Sequence, residues 1–472
     1  LVILAEPNED ENMIEPAIFK AYDIRGIVDE TLTEEGVEQI GRALGSAVVA
    51  AGEEKIVIGR DGRLSGPRFS QALERGLTDC GLEVIDLGCV TTPMVYFGAA
   101  TLPGVSSCAM ITGSHNPPNY NGIKMVVAGT TLYGEMIRDL HRRIVEQDFV
   151  SLEGEGKVTP YDIEADYLKA VTDTVKLARP LKVVVDAGNG VAGAYAPKVL
   201  KSLGCEVTEL FCEVDGTFPN HHPDPAKPKN LQDLIAEVKA QQADIGLAFD
   251  GDGDRCGVVD TEGNILYADR QMMLYARQVL EREPGATIIF DIKCSALLAK
   301  EIEKAGGKPT MWKTGHSLVK AKMKETGAAL AGEMSGHIFF KEHWYGFDDG
   351  VYTAARMLEI LAAQPLSSTE LFASLPNAYN TPELEVIFDT DGAHFEYMEK
   401  LKKVAEFSDG KVFDLDGIRV DWEDGWGLVR PSNTTPILVL RFEGTTPEAL
   451  ERIQQAFKQQ MLKVDPDLKL PF

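Results

Sequence analysis

Three related α/β domains with mixed sheets, followed by a smaller α+β domain, is the fold class the sequence predicts. The four are expected to surround a central cleft. Three observations predict it. At 472 residues the chain is too long for one hydrophobic core. One local pattern (apolar strand, polar loop, amphipathic helix, glycine-led second strand) occurs three times. From about residue 377 that pattern gives way to short apolar stretches spaced like antiparallel strands.

The first copy runs Lys55-Ile56-Val57-Ile58-Gly59-Arg60-Asp61, a helix near 67–79, then Gly81–Ile85. The second runs Leu181–Asp186, the glycine-rich 188–193, a helix near 194–203, then Gly204–Val207. The third runs Thr287–Asp291, a helix near 295–305, then Gly306-Gly307 and another extended stretch. Strand–helix–strand units of this kind build a sheet covered by helices on both faces. Each copy also holds a later apolar strand that ends in a polar loop. These are Ala109–Ile111 into Thr112–Pro117, Ile245–Phe249 into Asp250–Arg255, and Ala328–Ala331 into Gly332–His337. In the last part, Ile418–Trp422, Gly427–Arg430 and Leu438–Phe442 read as antiparallel strands. A helix then begins with Thr446 as N-cap and Pro447 in the first turn, and runs to about Met461. The expected domains are 13–160, 161–264, 265–376 and 377–472, with residues 1–12 read as a disordered extension.

The formal net charge of -26 argues against nucleic acid or an anionic membrane as a partner of the bulk field. A phosphorylated ligand must then be held by a local cluster of Lys and Arg. The seven cysteines are scattered with no C-x-x-C pair, which fits free thiols in a reducing, cytoplasmic compartment. No apolar run approaches the ~20 residues that span a bilayer. Leu1–Leu4 runs straight into Glu6, Glu9, Asp10 and Glu11 and is read as no secretory signal.

The polar loops carry the chemistry. Thr112-Gly113-Ser114-His115-Asn116-Pro117 presents one hydroxyl beside an imidazole and an amide. It suits a serine that carries a reactive group, and by itself equally suits an ordinary loop. Asp250-Gly251-Asp252-Gly253-Asp254-Arg255 alternates three carboxylates with glycines, and all-oxygen ligation suits Mg²⁺. An EF-hand loop needs Gly at the sixth position and Glu at the twelfth; Arg255 and Thr261 stand there, which leaves a metal loop or a solvated acidic turn. Arg430-Pro431-Ser432-Asn433-Thr434-Thr435 offers a guanidinium fork, hydroxyls and an amide suited to a phosphate monoester, or forms a plain turn. Gly332–His337 offers one carboxylate, one hydroxyl and one imidazole, and a carboxylate accepting from two adjacent hydroxyls is a frequent way to grip a sugar. Lys124 and His316 are candidates for proton transfer. Open α/β sheets bind ligands beyond the carboxyl ends of their strands, so three such loops point to one shared cleft.

Together with Ala21-Tyr22-Asp23-Ile24-Arg25-Gly26, these loops resemble those of the α-D-phosphohexomutase superfamily. More narrowly they resemble its bacterial bifunctional phosphomannomutase/phosphoglucomutase branch, from about Phe19 to Phe472. The resemblance implies an intramolecular phosphotransferase that interconverts the 1- and 6-phosphates of mannose and of glucose. It implies a phosphoserine at Ser114, a reorienting 1,6-bisphosphate, and Mg²⁺ held by Ser114, Asp250, Asp252 and Asp254. Glucose 1,6-bisphosphate or mannose 1,6-bisphosphate is the implied activator. By the same carry-over Glu333 and Ser335 hold the sugar O3 and O4, with His337 in the same loop. Arg430, Ser432, Asn433 and Thr434 hold the phosphate that is not reacting. Arg25, Lys124 and His316 join Ser114 as catalytic residues, and Tyr22, Arg255 and Lys293 as substrate contacts. The phosphoglucosamine mutase branch usually has Ala before the serine and Ser-Gly-Thr after the arginine; Gly113 and Ser432-Asn433-Thr434 set this chain apart. The branch implies a cytoplasmic monomer acting on phosphorylated hexoses, with no nucleic acid or membrane partner, that supplies GDP-mannose precursors and polysaccharide synthesis. Two rivals stand beside it: a metal-dependent phosphatase passing phosphate from Ser114 to water, and a catalytically silent sugar-phosphate binder.

Overall fold

Long parallel strands buried on both faces need near-continuous apolar runs, and Val183-Val184-Val185 and Ile288-Ile289-Phe290 supply them. The computed structural model describes residues 14–472, so the extension expected at 1–12 lies outside the described residues. Among these residues no helix is long and apolar enough to cross a membrane.

The threefold repeat is visible as one strand order used three times. In the first sheet Lys55–Arg60 pairs in parallel with Glu83–Cys89 and with Cys108–Ile111, and the latter pairs antiparallel with Tyr120–Val127. In the second, Lys182–Asp186 lies between Glu206–Leu210 and Ile245–Phe249, followed by the reversed Cys256–Asp260. In the third, Thr287–Asp291 lies between Lys308–Trp312 and Leu330–Gly332, followed by the reversed Ile338–Phe340. Each chemistry-bearing loop occupies the same place, the turn from the third strand into the reversed fourth. The fourth sheet is antiparallel, with Ile437–Gly444 and Gly425–Pro431 at its centre. The helix Pro447–Val464 covers it, and the Thr446 side chain accepts from the Ala449 amide at its start.

Two elements differ from expectation for local reasons. The strand expected at Ala328–Ala331 begins only at Leu330, because Gly327 closes the helix His316–Thr326 in the left-handed conformation and Ala328 completes that turn. The helix expected near 194–203 is a 3-10 turn, Val191–Ala194, followed by the α-helix Ala196–Ser202. Pro197 has no amide hydrogen and sits in the first turn of that helix, where none is needed.

Apolar residues from one face of each of the first three sheets merge into one core that contains Val57, Met94, Val185, Phe249, Ile288 and Tyr352, and the other faces form clusters of their own around Ile56, Val184 and Ile289. The Trp344 and Tyr352 rings stack within it at 4.0 Å. The last domain has a core of its own around Tyr397, Ile418, Leu440 and Phe457. It docks on the third domain through a small cluster of Ile292, Trp426 and Leu428. Arg419 reinforces that contact: its guanidinium lies 4.0 Å over the Trp426 ring and donates to the Ile292 and Cys294 carbonyls at 2.7 and 2.6 Å. Arg419→Ala leaves two buried carbonyls without a donor, a loss of about 3 kcal/mol at the junction. Calorimetry should then resolve an earlier transition for the last domain, and hydrogen exchange should rise within residues 411–444. A single unshifted transition would contradict this division of the cores.

Candidate active site

Ser114 sits where Cys108–Ile111 ends, with φ of 52°, a left-handed conformation that costs a serine about 1 kcal/mol or more. Two partners hold it there. The Thr112 hydroxyl accepts from the Ser114 amide at 2.7 Å and donates to Asp61 at 2.7 Å. The second partner is Arg63, whose side chain is 0% exposed. All five guanidinium donors are used: Nε to Asp61 (3.3 Å), Nη1 to the carbonyls of Pro117 (2.5 Å) and Tyr120 (2.9 Å), and Nη2 to those of Ser114 (3.1 Å) and Asn116 (2.7 Å). Gly113 makes room, since a Cβ there would overlap the guanidinium. Sequence reasoning missed Arg63; the available signal was the polar run Arg60-Asp61-Gly62-Arg63 at the end of the first strand.

The serine loop touches the carboxylate loop directly. A Cβ on Gly251 would collide with the Ser114 carbonyl, so glycine permits the approach. Ser114 Oγ lies 3.2 Å from Asp252 Oδ1. Asp252 is fixed by Thr92, which donates its amide to the Asp252 carbonyl (3.0 Å) and its hydroxyl to Oδ2 (2.6 Å). Asp250, Asp252 and Asp254 are buried and bring one oxygen each within 4.8 Å of one another. Asp254 Oδ1 is buried with no hydrogen-bond partner among the described residues. Burial and the neighbouring Asp254 push Asp250 well above the usual carboxylate range. An all-oxygen donor set, an orphaned oxygen and crowded negative charge fit a hard divalent cation.

Cations from all three domains face these carboxylates. Lys124 donates to Asp252 Oδ2 (2.8 Å) and Asp254 Oδ2 (2.6 Å). Burial alone would lower its pKa, but Asp252 and Asp254 more than offset that and hold it above the ordinary lysine value. Arg255 donates to Asp250 Oδ2 (2.8 Å) and to the Ser335 carbonyl (3.1 Å), which ties the second loop to the third. A β-bridge between Arg255 and His337 strengthens that tie. His337 Nδ1 lies 2.8 Å from Asp348 Oδ2 and 3.8 Å from Asp254. Asp348, eleven residues along the chain, was not singled out from the sequence.

The remaining expected residues surround this cluster. Glu333 Oε1 accepts from the Gly315 amide at 2.6 Å, and burial pushes its carboxyl up to about 7. His316 opens the helix His316–Thr326 with its ring 5.8 Å from that of His337. Burial and then the Lys320 charge hold His316 well below the usual histidine range, which favours the neutral imidazole. Tyr22 donates to the Thr314 carbonyl (2.9 Å) and accepts from Asn433 (2.5 Å), joining the first, third and fourth domains. Arg430 donates to Asp416 (3.2 Å), and Ser432 Oγ accepts from the Thr434 amide (3.3 Å). Lys293 pairs with Glu383 at 2.8 Å. Arg25 donates to Asn116 Oδ1 at 2.6 Å and pairs with Asp23. Arg25, Lys293 and Arg430 thus have acidic or amide partners of their own and do not touch Ser114. A cavity of about 700 Å³ opens beside His115, Arg255, Lys293 and Ser335.

Fold and site together define a multidomain α/β phosphotransferase, with a buried serine, a carboxylate cluster and basic loops drawn from four domains. The chain matches, in order, phosphoglucomutase/phosphomannomutase alpha/beta/alpha domain I over 16–151, domain II over 165–263, domain III over 267–379, and the C-terminal domain over 396–460. It is 56% identical to a phosphomannomutase/phosphoglucomutase of Pseudomonas aeruginosa, covering 97% of this chain and 98% of that one. It is 53% identical to a phosphoglucomutase of Neisseria meningitidis serogroup A, over 96% of this chain and 98% of that one. A solved phosphoglucomutase/phosphomannomutase family protein from Burkholderia thailandensis superposes with a TM-score of 0.93 at 53% identity, covering 98% of this chain and 100% of that one. The chain belongs to the phosphoglucomutase/phosphomannomutase family and is a mutase.

Arg63 generates the prediction for this site. Arg63→Lys keeps the charge but has three donors for five acceptors. Misplacing Ser114 by a fraction of an ångström should lower kcat about 10–100-fold while KM changes little. Hydrogen exchange should rise across 112–121. Wild-type kcat in that variant would show that the serine loop holds itself.

Proposed function

We propose that the enzyme interconverts the 1- and 6-phosphates of glucose and of mannose, with Ser114 carrying the phosphoryl group. The observation that carries this reading is Ser114 Oγ, buried and 3.2 Å from Asp252 in a cluster that also holds Lys124 and Arg255. Phosphoryl transfer asks the protein for positioning and charge neutralisation more than for covalent chemistry. Lys124 and Arg255 supply fixed positive charge around the transferring group. Mg²⁺ bound by Asp250, Asp252 and Asp254 would add charge neutralisation at the phosphoryl oxygens.

A sugar hydroxyl attacking the phosphoserine must lose its proton. His337, held by Asp348 at 2.8 Å, is supported as one carrier of that proton. Lys124, already held as an ammonium by two carboxylates, is better suited to electrostatic support than to proton removal. Neutral His316 lies one ring away as a second carrier. Glu333 and Ser335 are read as taking the sugar O3 and O4. Glucose and mannose differ only at C2, so a loop reading O3 and O4 accepts either. Arg430, Ser432, Asn433 and Thr434 are read as holding the phosphate that is not reacting, with Tyr22, Arg25 and Lys293 as further contacts.

The 1,6-bisphosphate then turns over in the cleft and returns its other phosphate to Ser114. A hinge of the last domain would serve that reorientation: the Tyr22–Asn433 bond is the contact it would open, and the buried Arg441–Asp269 and Ser295–Glu443 pairs are the side it would turn on. Glucose 1,6-bisphosphate or mannose 1,6-bisphosphate would prime an unphosphorylated Ser114. The same reading makes the protein a cytoplasmic monomer that feeds sugar nucleotide and polysaccharide synthesis.

Coupled assays on glucose 1-phosphate and mannose 1-phosphate, side by side, test the reading. Both should yield the 6-phosphate with almost no inorganic phosphate, and EDTA should stop turnover until Mg²⁺ is restored. Ser114→Ala should lower kcat by at least about a thousandfold, as loss of a nucleophile does. Stoichiometric release of inorganic phosphate would instead make the protein a phosphatase.

A further inference from the structure

A second cavity, of about 570 Å³, lies between the first and third domains and shares no lining residue with the cavity beside Arg255. Its size is that of small-molecule sites, which run roughly 300–1,000 Å³. Three lysines, Lys320, Lys324 and Lys341, line it in a chain whose formal net charge is -26. Their compensation is incomplete. Lys320 Nζ lies 3.2 Å from Asp348 Oδ1 and 4.1 Å from the centre of the Tyr96 ring. Lys324 donates to the Gly129 carbonyl, a neutral partner. Among the described residues neither Lys324 nor Lys341 has a carboxylate within ion-pair distance, although carboxylates outnumber cations in the chain. Burial, and then the nearby charges of Lys320 and Lys341, push the Lys324 ammonium below the ordinary lysine value. Aromatic rings line the cavity beside these lysines: the Tyr345 and Phe347 rings stack within 5° of parallel, and Tyr96 lies 5.7 Å from Phe347.

We propose that this cavity is a second ligand site, separate from the cleft, for a small molecule with an anionic head and a flat apolar body. The head, a phosphate, sulfonate or carboxylate, neutralises Lys324 and Lys341, and the body lies against Tyr345 and Phe347. The site is coupled to the cleft through one shared carboxylate. Asp348 lies within ion-pair distance of Lys320 on the cavity side (3.2 Å) and is hydrogen-bonded to His337 on the cleft side (2.8 Å). An anion that draws Lys320 away from Asp348 changes how firmly His337 is held. The coupling rests on the role read above for His337; the binding site does not.

An anilinonaphthalene sulfonate dye has both required parts and serves as the probe. The full chain is titrated with it by fluorescence in Mg²⁺ and saturating glucose 1,6-bisphosphate, which occupies the cleft. One dye should bind per chain, and Lys324→Glu and Lys341→Glu should each weaken it about tenfold or more by replacing attraction with repulsion. Both variants should keep wild-type mutase activity without dye, which also reports that they fold. Lys341→Gln should weaken the dye less, in the same direction. Unaltered binding in all three variants, or dye binding seen only when the bisphosphate is left out, overturns the site. Initial rates measured with the dye test the coupling: kcat should fall in the wild type and stay constant in Lys324→Glu. A wild-type kcat indifferent to saturating dye overturns the coupling even if the dye binds.

Discussion

The guanidinium of Arg63 is the interaction on which the site depends. Four of its five donors go to backbone carbonyls between Ser114 and Tyr120, so one side chain fixes the path of the whole serine loop. A planar fork matches that arc of carbonyls; a flexible ammonium does not. Burying an arginine is costly unless every donor is paired and a counter-charge is near, and Asp61 together with the carbonyls meets both conditions. Asp61 also orients Thr112, whose hydroxyl holds the Ser114 amide. The left-handed backbone at Ser114 is therefore held by a network that lies entirely within the first domain.

From that anchor the rest of the site is assembled across domains. Gly251 lets the carboxylate loop meet the serine loop backbone to backbone, and Arg255 carries the connection on to the third loop. Lys124 comes from the first domain, the three aspartates from the second, and His337 with Asp348 from the third. Charges from three domains can balance only while their relative positions are fixed, and the continuous core of the first three domains fixes them. The last domain has its own core and meets the third through the Ile292–Trp426–Leu428 cluster and the buried Arg441–Asp269 and Ser295–Glu443 pairs. It brings Arg430 and Asn433 to the cleft without being locked to the charge cluster.

What the sequence made legible follows from how local each feature is. The strands Ile245–Phe249, Thr287–Asp291 and Ile418–Trp422 have the expected bounds because apolar runs and flanking polar residues define them. The three polar loops stood out because each ends an apolar strand, and in the structure they share one position in a repeated topology. Where a turn was decided by backbone conformation, as at Gly327, the expected strand began two residues early. The partners that tune the site were hidden because nothing local marks them. Arg63 meets carbonyls more than fifty residues away, Glu383 reaches Lys293 across a domain boundary, and Asn433 meets Tyr22 from the other end of the chain. Ion pairs and buried hydrogen bonds between domains depend on packing, which strand and helix periodicity does not encode.

Mapping phosphate on the resting protein tests the central claim, that the Arg63-anchored serine is the phosphoryl carrier, most directly. The protein would be incubated with isotopically labelled glucose 1,6-bisphosphate, digested, and read by peptide mass spectrometry. The account predicts one labelled phosphate per chain, on the peptide containing Ser114, lost when excess unlabelled hexose phosphate is added. Phosphate on another residue, or none on Ser114 while the enzyme turns over, would contradict it.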